Sequence, residues 1–163
     1  MRRFIAPVFC ALVLLGTLIA VPVGGPTWAQ QENARPDFAT GTLSIQTAEG
    51  SPREFRIELA RTVAERAFGL MFVREMADDR GMLFDYGRDK HVSMWMKNTY
   101  VPLDMLFIES DGRIESIIER AAPHSRDPRA SKGRVMAVLE LKGGITSRLG
   151  IKAGDRVIHP IFD

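Results

Sequence analysis

The stretch that decides the fold is LDMLFIESDGRIESIIE, residues 103–119. Two mainly apolar runs flank the tripeptide Ser110-Asp111-Gly112, and an Asp-Gly pair supplies the positive φ angles that a tight hairpin turn needs. The stretch therefore predicts two antiparallel strands that are joined by this turn.

A second hairpin is predicted nearer the N-terminus. Residues 43–47 and 55–59 alternate apolar with polar side chains, and Glu49-Gly50-Ser51-Pro52 separates the two runs. Alternation with a period of two is typical of a strand that has one buried face and one solvated face. We therefore expect an antiparallel pair here, with structure beginning near Gly41.

The pattern then changes to that of a helix. Thr62 and Glu65 have the spacing of a capping box, in which each side chain accepts a hydrogen bond from the backbone N–H group of the other residue. Apolar residues follow at helical spacing as far as Leu70. One short helix is predicted over about residues 62–70.

The rest of the chain predicts short strands that are separated by frequent turns. Predicted strands lie at 82–84, 92–96, 135–141 and 157–162, predicted turns at 78–81, 86–89 and 143–144, a helical turn at 145–149, and a polar loop at 123–133. This arrangement is typical of a small barrel rather than of a helix-covered parallel sheet. The predicted fold class is therefore mainly β: a small antiparallel barrel-like domain, residues 41–163, with one short helix.

The first 29 residues have the order of a signal peptide. Arg2 and Arg3 precede an apolar run over residues 4–23, helix-breaking Gly and Pro residues follow, and Thr27-Trp28-Ala29 ends the segment with small residues at the cleavage positions. This order predicts cleavage after Ala29 and an exported protein, periplasmic or secreted. Retention of the segment as a membrane anchor is the alternative, because the apolar run is nearly long enough to span a bilayer.

Cleavage after Ala29 would leave a chain of balanced charge. The full sequence has 22 basic and 20 acidic residues, and the loss of Arg2 and Arg3 leaves 20 of each. A neutral chain without a basic run gives no electrostatic reason to expect nucleic acid or, after cleavage, a membrane surface as a partner. The only cysteine, Cys10, lies within the predicted signal, so the mature domain has no thiol for a disulfide, a nucleophile or a zinc site. Residues 30–40 are polar and aperiodic and predict a flexible leader.

Several motifs of the mature chain resemble the DUF192 family. They are GLMF at 69–72, GMLF at 81–84, SMWMKNTYVPLD at 93–104, VLEL at 138–141 and Gly-Asp at 154–155. The resemblance runs from about Leu43 to Phe162, and it implies a small, mostly antiparallel β domain that is often exported in bacteria and has no agreed activity. One position departs from the family pattern: Val73 stands where the family usually has a basic residue, and Arg74 follows it.

Residues 151–157, IKAGDRV, resemble the Gly-Asp turn of cradle-loop barrels such as the double-psi barrel. Gly154 permits a tight turn there, and the Asp155 carboxylate can accept hydrogen bonds from nearby backbone N–H groups. The alternative is a plain Gly-Asp turn before a strand.

The candidate site is the polar cluster that begins at Trp95. Lys97 and Asn98 offer an ammonium group and an amide beside an aromatic face, which suits a sugar, a peptide end or another small polar ligand. The alternative is a loop that satisfies its own polar groups. Asp104 and Glu140 each interrupt an otherwise apolar strand, so each is expected to be paired or to line a pocket, and Asp104 is placed to pair with Lys97.

We therefore predict a non-enzymatic binding domain for a small polar ligand or a protein partner. The predicted ligand-binding residues are Trp95, Lys97, Asn98, Asp104 and Glu140, and no catalytic residue, metal or cofactor is assigned. No Gly-x-Ser-x-Gly, phosphate-binding loop, dinucleotide glycine pattern or His-Glu-x-x-His occurs in the sequence, which favours a binding protein over an enzyme.

Two other functions are kept open. Met94 and Met96 with His91 are ligand types that suit Cu(I), although strand parity places the two methionines on the face opposite to His91. A copper site would therefore need a bend at residues 91–93 or a different third ligand, such as Met71, Met82 or His159. Asp104 and Glu140 could act as acid and base in glycoside cleavage. For each carboxylate, the alternative is a structural hydrogen bond to the backbone or a pair with Lys97.

Overall fold

The computed structural model describes residues 35–48 and 50–163. The predicted signal peptide at 1–29, its cleavage position and residues 30–34 of the predicted leader lie outside the described residues. Within the described ranges, no helix is both long enough and apolar enough to cross a membrane.

The described residues form nine strands and two short helices. The strands are β1 Ala39–Gln46, β2 Arg53–Ala60, β3 Arg80–Lys90, β4 Ser93–Met94, β5 Leu103–Ile108, β6 Ile114–Ala121, β7 Arg129–Ala130, β8 Val135–Lys142 and β9 Arg156–Ile158. The helices are α1 Val63–Phe68 and α2 Ile145–Leu149, and a 3-10 turn covers Pro160–Phe162. The predicted mainly β class is confirmed, and α2 is the helical turn that was expected at 145–149.

Seven strands form one sheet in the order β6-β5-β8-β3-β2-β1-β9, and β4 pairs with β7 in a second, two-stranded sheet. An isolated bridge between Arg113, directly before β6, and Arg156, in β9, joins the two ends of this order. Because a flat seven-stranded sheet could not bring its edges together, the sheet must curl into a half-barrel. The barrel-like architecture is thereby confirmed.

One pair of neighbouring strands in this sheet is parallel. β2 and β3 run in the same direction, with Arg56 opposite Arg80 and Ala60 opposite Phe84. Parallel strands need a crossover connection of a dozen or more residues, usually with a helix, and the segment between β2 and β3 contains α1. The crossover holds α1 close to the sheet, where it forms one wall of the site described below.

Both predicted hairpins are present. β1 pairs with β2 in antiparallel fashion, and β5 pairs with β6 around the Asp111-Gly112 turn. Gly112 has a φ of 84°, and a Cβ atom there would lie 2.5 Å from the carbonyl oxygen of Val157, so only glycine fits. β1 begins at Ala39, two residues before the expected start, and Phe38 is already buried.

Three predicted elements have different bounds in the structure. The turn expected at 86–89 lies inside β3, where a register shift against β8 forms a bulge and Gly87 takes a φ of 66°. The strand expected at 92–96 contracts to β4, because the chain bends at Asn98, whose φ is 56°. The strand expected at 157–162 ends at Ile158, because Pro160 opens the 3-10 turn.

The capping box and the Gly-Asp turn both form as expected. Thr62 accepts a hydrogen bond from the Glu65 N–H group, and the Glu65 carboxylate accepts one from the Thr62 N–H group. The backbone donors, first among them Thr62, hold the pKa of Glu65 below its ordinary value. In the turn, Asp155 accepts hydrogen bonds from the N–H groups of Lys152, at 2.8 Å, and Ala48, at 3.3 Å.

The large sheet has a hydrophobic core on each face. The first core cluster includes Leu43, Phe55, Leu83, Leu106, Leu139, Leu141 and Ile145 of α2. The second core cluster includes Leu70, Met82, Phe84, Met94, Met96, Met105, Phe107 and Val138. Because successive side chains of a strand point to opposite faces, neighbouring residues of β5 or β8 belong to different clusters.

Candidate functional site

Glu140 occupies the middle of the sheet on the face of the second core cluster. It lies in β8, directly opposite Met82 of β3 and Met105 of β5. Its side chain is surrounded by apolar neighbours, and only 3% of the residue is exposed. A carboxyl group in such a place is costly unless hydrogen bonds or a charged partner compensate for the loss of water.

The Glu140 carboxyl has no such compensation from the protein. No hydrogen bond from a described residue reaches it, and burial is the only influence on its pKa, which rises to about 8. The group therefore keeps its proton at neutral pH and can donate a hydrogen bond. Its oxygens open onto a cavity instead of onto a protein partner.

This cavity has a volume of about 320 Å³ and lies between α1, β3 and the segment 93–99. Its apolar walls include Phe68, Leu70, Met71, Phe84, Met94 and Trp95, and its polar lining includes Arg66, Tyr86, Lys90, Lys97, Thr99 and Glu140. A concave space in which several polar groups converge between apolar walls is typical of a small-molecule site.

Three cations line the cavity, and we call Arg66, Lys90 and Lys97 the mouth cations because they are more exposed than Glu140. No carboxylate of a described residue lies within 4.0 Å of any of them. Each lies instead over an aromatic ring: Arg66 and Lys90 at 5.1 Å and 4.9 Å from the Tyr86 centroid, and Lys97 at 5.7 Å from that of Trp95. Cation–π contacts of this kind orient a cation without neutralising it.

Tyr86 lines the same cavity as Glu140, and two of the mouth cations, Arg66 and Lys90, lie over its ring. Its hydroxyl donates a hydrogen bond to the sulfur of Met94 at 3.4 Å. Burial, with a further contribution from Glu140, raises the pKa of Tyr86 to about 12, so the hydroxyl remains protonated. The Arg66 guanidinium is fixed nearby by hydrogen bonds to the carbonyl oxygens of Arg61 and Asp85.

Of the five predicted ligand-binding residues, Trp95, Lys97 and Glu140 line the cavity together. Asn98 does not. Its main role is to bend the chain at positive φ, its carbonyl oxygen accepts a hydrogen bond from the Phe72 N–H group, and its amide contacts the sulfur of Met71. Asn98 thus shapes the wall behind the cavity rather than its surface.

Asp104 lies on the other face of the sheet. It is opposite Leu141, which belongs to the first core cluster, and it is completely buried. Its carboxylate accepts four hydrogen bonds at 2.6–2.9 Å, from the N–H groups of Arg120, Gly144 and Thr146 and from the Thr146 hydroxyl. The expected pair with Lys97 is wrong, because β6 supplies one of these donors and the start of α2 supplies the other three.

The opposite orientation of Asp104 and Glu140 bears on the glycosidase alternative. Side chains one residue apart in register, on adjacent strands, point to opposite faces, and the intervening sheet separates the two carboxyl groups. They therefore cannot act together on one substrate.

The copper alternative meets a similar geometric obstacle. Met94 and Met96 are buried while His91 is exposed, as strand parity predicted.

The mouth cations Arg66 and Lys90, together with Tyr86, are site residues that sequence reasoning missed. Tyr86 and Lys90 were assigned to a turn or its flank, and the bulge of β3 brings them to the cavity. Arg66 is a polar residue of α1, and the helical pattern in the sequence identifies only the apolar residues beside it. The sequence carries no local signal that these three residues meet.

A strip of aromatic side chains continues from the cavity wall across the surface. Phe68, Phe72 and Tyr100 follow one another with ring centroids 5.9 Å and 6.5 Å apart, and His124 meets the edge of Tyr100 at 4.8 Å. Phe72 and His124 have positive φ angles, which are uncommon outside glycine. Arg74, next to the position where the sequence departs from the family pattern, lies 4.5 Å from the Tyr100 centroid.

Comparisons with known proteins agree with this fold. The family model of DUF192, described as an uncharacterized ACR, matches residues 44–159. A protein from Sinorhizobium meliloti 1021, described as a "putative transcription regulator", is 46% identical with a TM-score of 0.76, and the match covers 78% of this chain and 99% of that chain. A protein of unknown function from Novosphingobium aromaticivorans DSM 12444 is 38% identical with a TM-score of 0.72, over 83% of this chain and 100% of that chain. No curated protein matches the chain.

Proposed function

This chain belongs to the DUF192 family, and from the chemistry of its cavity we propose that it is an exported, non-enzymatic binding domain for a small ligand. The observation that carries the proposal is Glu140, a buried carboxyl that opens onto a cavity and receives no hydrogen bond from a described residue. A carboxyl group that lines a cavity and has no hydrogen-bond partner among the described residues is free to bind a partner from outside the chain.

Binding is favoured over catalysis by what lines the cavity. General acid–base chemistry usually needs two titratable groups with opposed environments, or a nucleophile beside a base. Glu140 is the only carboxyl group among the described residues that line the cavity, and no histidine lines it. One protonated carboxyl, together with the mouth cations and the apolar walls, is suited to hold a ligand.

The proposal of export depends on the sequence of residues 1–29 and on its predicted cleavage after Ala29. The test is the intact mass of the protein, expressed from its full sequence in a bacterial host and recovered from the periplasm or medium. We expect a mass that lacks residues 1–29. A recovered mass that includes them would contradict cleavage and favour a retained anchor.

We do not extend to this chain the description of the Sinorhizobium protein as a putative transcription regulator. The cleaved form of this chain has equal numbers of basic and acidic residues, which gives no electrostatic basis for binding DNA.

Ligand binding can be tested with a pair of matched variants in α1. Ala67 lines the cavity, whereas Ala64 lies on the same exposed helix and does not line it. Ala67→Trp should fill the entrance, and Ala64→Trp adds the same bulk elsewhere. The experiment is a small-fragment screen by ligand-observed NMR on the purified full-length expression product.

We expect some fragments to bind the wild type and Ala64→Trp but not Ala67→Trp. Thermal melts of both variants will show that each is folded. The proposal is contradicted if no fragment distinguishes Ala67→Trp from the wild type.

A further inference from the structure

The charges around the cavity indicate what kind of ligand it would take. The three mouth cations face a space whose only acidic lining residue, Glu140, is neutral at pH 7. Elsewhere on the surface, Lys142 and Arg148 share the carboxylate of Asp78 at 2.8 Å and 2.6 Å. The contrast leaves uncompensated positive charge at the mouth, which favours an anion and disfavours a cation.

The depth of the cavity has a different character from its mouth. Glu140 is 3% exposed, whereas Trp95 at the entrance is 51% exposed. Lys97 lies over the ring of this exposed Trp95, whereas Glu140 lies in the sheet between Met82 and Met105, so the two polar ends of the cavity differ in depth. A ligand that satisfies both must have an anion at one end and a second polar atom at the other.

The second polar atom must be a hydrogen-bond acceptor. A protonated carboxyl donates one O–H bond, and a neutral oxygen of the ligand can accept it without adding a second charge in an apolar environment. Between the two ends, the ligand would meet Phe68, Met71 and Met94, which are apolar walls. A phosphate-bearing ligand is less suited, because its larger charge and additional oxygens require more donors than a carboxylate does.

Resting on the proposed function, we infer that the cavity selects a small carboxylate with two ends: the carboxylate group lies at the mouth cations, an apolar body fills the middle, and an oxygen acceptor at the far end takes the hydrogen bond of Glu140. The assignment names a ligand class and an orientation within the cavity.

The Glu140 end should depend on pH, while the carboxylate end should depend on the lysines. The titratable or charged groups around Glu140 are Arg66 on α1, Tyr86 and Lys90 on β3, and Lys97 on the segment after β4; its strand neighbours Met82 and Met105 do not titrate. Because the pKa of Glu140 is raised to about 8, its O–H donor is present below that pH and lost above it.

The probes are three matched benzene derivatives. 4-Acetylbenzoate carries both the carboxylate and the acceptor, 4-ethylbenzoate lacks the acceptor, and 4-acetylbenzamide lacks the charge. Affinities are measured by isothermal titration calorimetry on the full-length expression product at pH 6.5 and pH 9.

At pH 6.5 we expect 4-acetylbenzoate to bind about tenfold more tightly than 4-acetylbenzamide, because charge-assisted hydrogen bonds are roughly twice as strong as neutral ones. It should also bind about fivefold more tightly than 4-ethylbenzoate, because one neutral hydrogen bond contributes on that order. At pH 9 the fivefold preference should vanish.

Two variants separate the two ends. Glu140→Gln keeps an N–H donor, so it should keep the preference for the acetyl group at both pH values, whereas Glu140→Leu should lose it. Lys97→Gln should lower the preference for the charged probe by about threefold, within the range of a solvent-exposed ion pair, and Lys132→Gln, an exposed lysine that does not line the cavity, should change nothing.

Equal affinity for the charged and uncharged probes, or for the probes with and without the acceptor, would overturn this assignment. Failure of all three probes to bind would overturn it as well. Neither result would touch the proposed function, which is decided by the fragment screen with Ala67→Trp and Ala64→Trp.

Discussion

Two buried carboxyl groups on adjacent strands of one sheet have opposite environments. Asp104 of β5 is fully buried in the first core cluster and accepts four hydrogen bonds. Glu140 of β8 is nearly as buried, on the other face, and receives none from the described residues. The sequence presents the two in the same way, as one acidic residue in an apolar strand.

The difference shows that burial alone does not separate a structural carboxylate from a candidate binding group. What separates them is whether the chain supplies the donors. The loop that begins with Gly143-Gly144 directs N–H groups at Asp104. Gly143 lies so close to Pro102 that a Cβ atom at this position would be 2.9 Å from the Pro102 backbone, so the loop can approach only with glycine there. Around Glu140, apolar side chains and a cavity take the place of donors.

The largest expected effect is the loss of the Asp104 carboxylate. Asp104→Ala leaves four donors without an acceptor. At about 1 kcal/mol for each lost hydrogen bond, we expect the free energy of unfolding to fall by about 4 kcal/mol. Urea denaturation measures this change. Probe binding at a temperature where the variant is folded should match that of the wild type, and a loss of binding by folded protein would show that Asp104 contributes to the site after all.

Glu140→Gln should raise the free energy of unfolding relative to the wild type, and the size of this gain should increase with pH. The folded pKa of about 8 lies above the ordinary value of 4.5, so the folded state binds the proton more tightly than the unfolded chain. The contribution of Glu140 to the stability of the wild type is therefore fully present below pH 4.5 and is lost as the pH rises to 8. Between pH 5 and pH 7.5, its unfolding free energy should fall by about 3 kcal/mol relative to that of Glu140→Gln, at 1.36 kcal/mol per pH unit.

Parallel urea titrations of both proteins at the two pH values measure this difference. Because the comparison takes the change with pH, other titrating groups that the two proteins share cancel. Identical pH dependence of the two proteins would mean that Glu140 ionises normally and that water reaches it freely.

The smallest of the three effects tests one donor of the Asp104 cluster. Thr146→Val removes the hydroxyl that donates to Asp104 at 2.6 Å and keeps the shape of the side chain. We expect the free energy of unfolding, measured by urea denaturation, to fall by about 1 kcal/mol. Thr40→Val, on the exposed side of β1, serves as the control and should stay within about 0.5 kcal/mol of the wild type.

The elements that the sequence predicted well are those with local causes. The Asp111-Gly112 turn and the capping box of Thr62 are specified by residues within a few positions of one another, and both form. The alternation of buried and exposed residues from Val92 to Met96 was likewise correct, although only two of these residues belong to a strand. Such features need only the geometry of one segment.

What the sequence could not specify is the register between distant segments. Whether Asp104 and Glu140 share a face depends on how β5 aligns with β8, and a slip of one residue would reverse the answer. The parallel pairing of β2 with β3 and the meeting of Arg66 with Lys90 likewise depend on tertiary packing. Candidate residues in the site were therefore predictable one by one, but their grouping was not.

The pairing of β1 with β9 also constrains how quickly this molecule can form. Ser44 lies opposite Ile158, so one of the first strands of the domain completes its hydrogen bonds with the last. Contacts between residues this far apart in the chain carry a large loop-closure entropy, and folding rates fall as such contacts dominate a topology. During synthesis, the outer edge of β1 stays unpaired until residues 156–158 have emerged. The half-barrel is thus a late product of folding, and the growing chain remains incompletely folded for most of its synthesis.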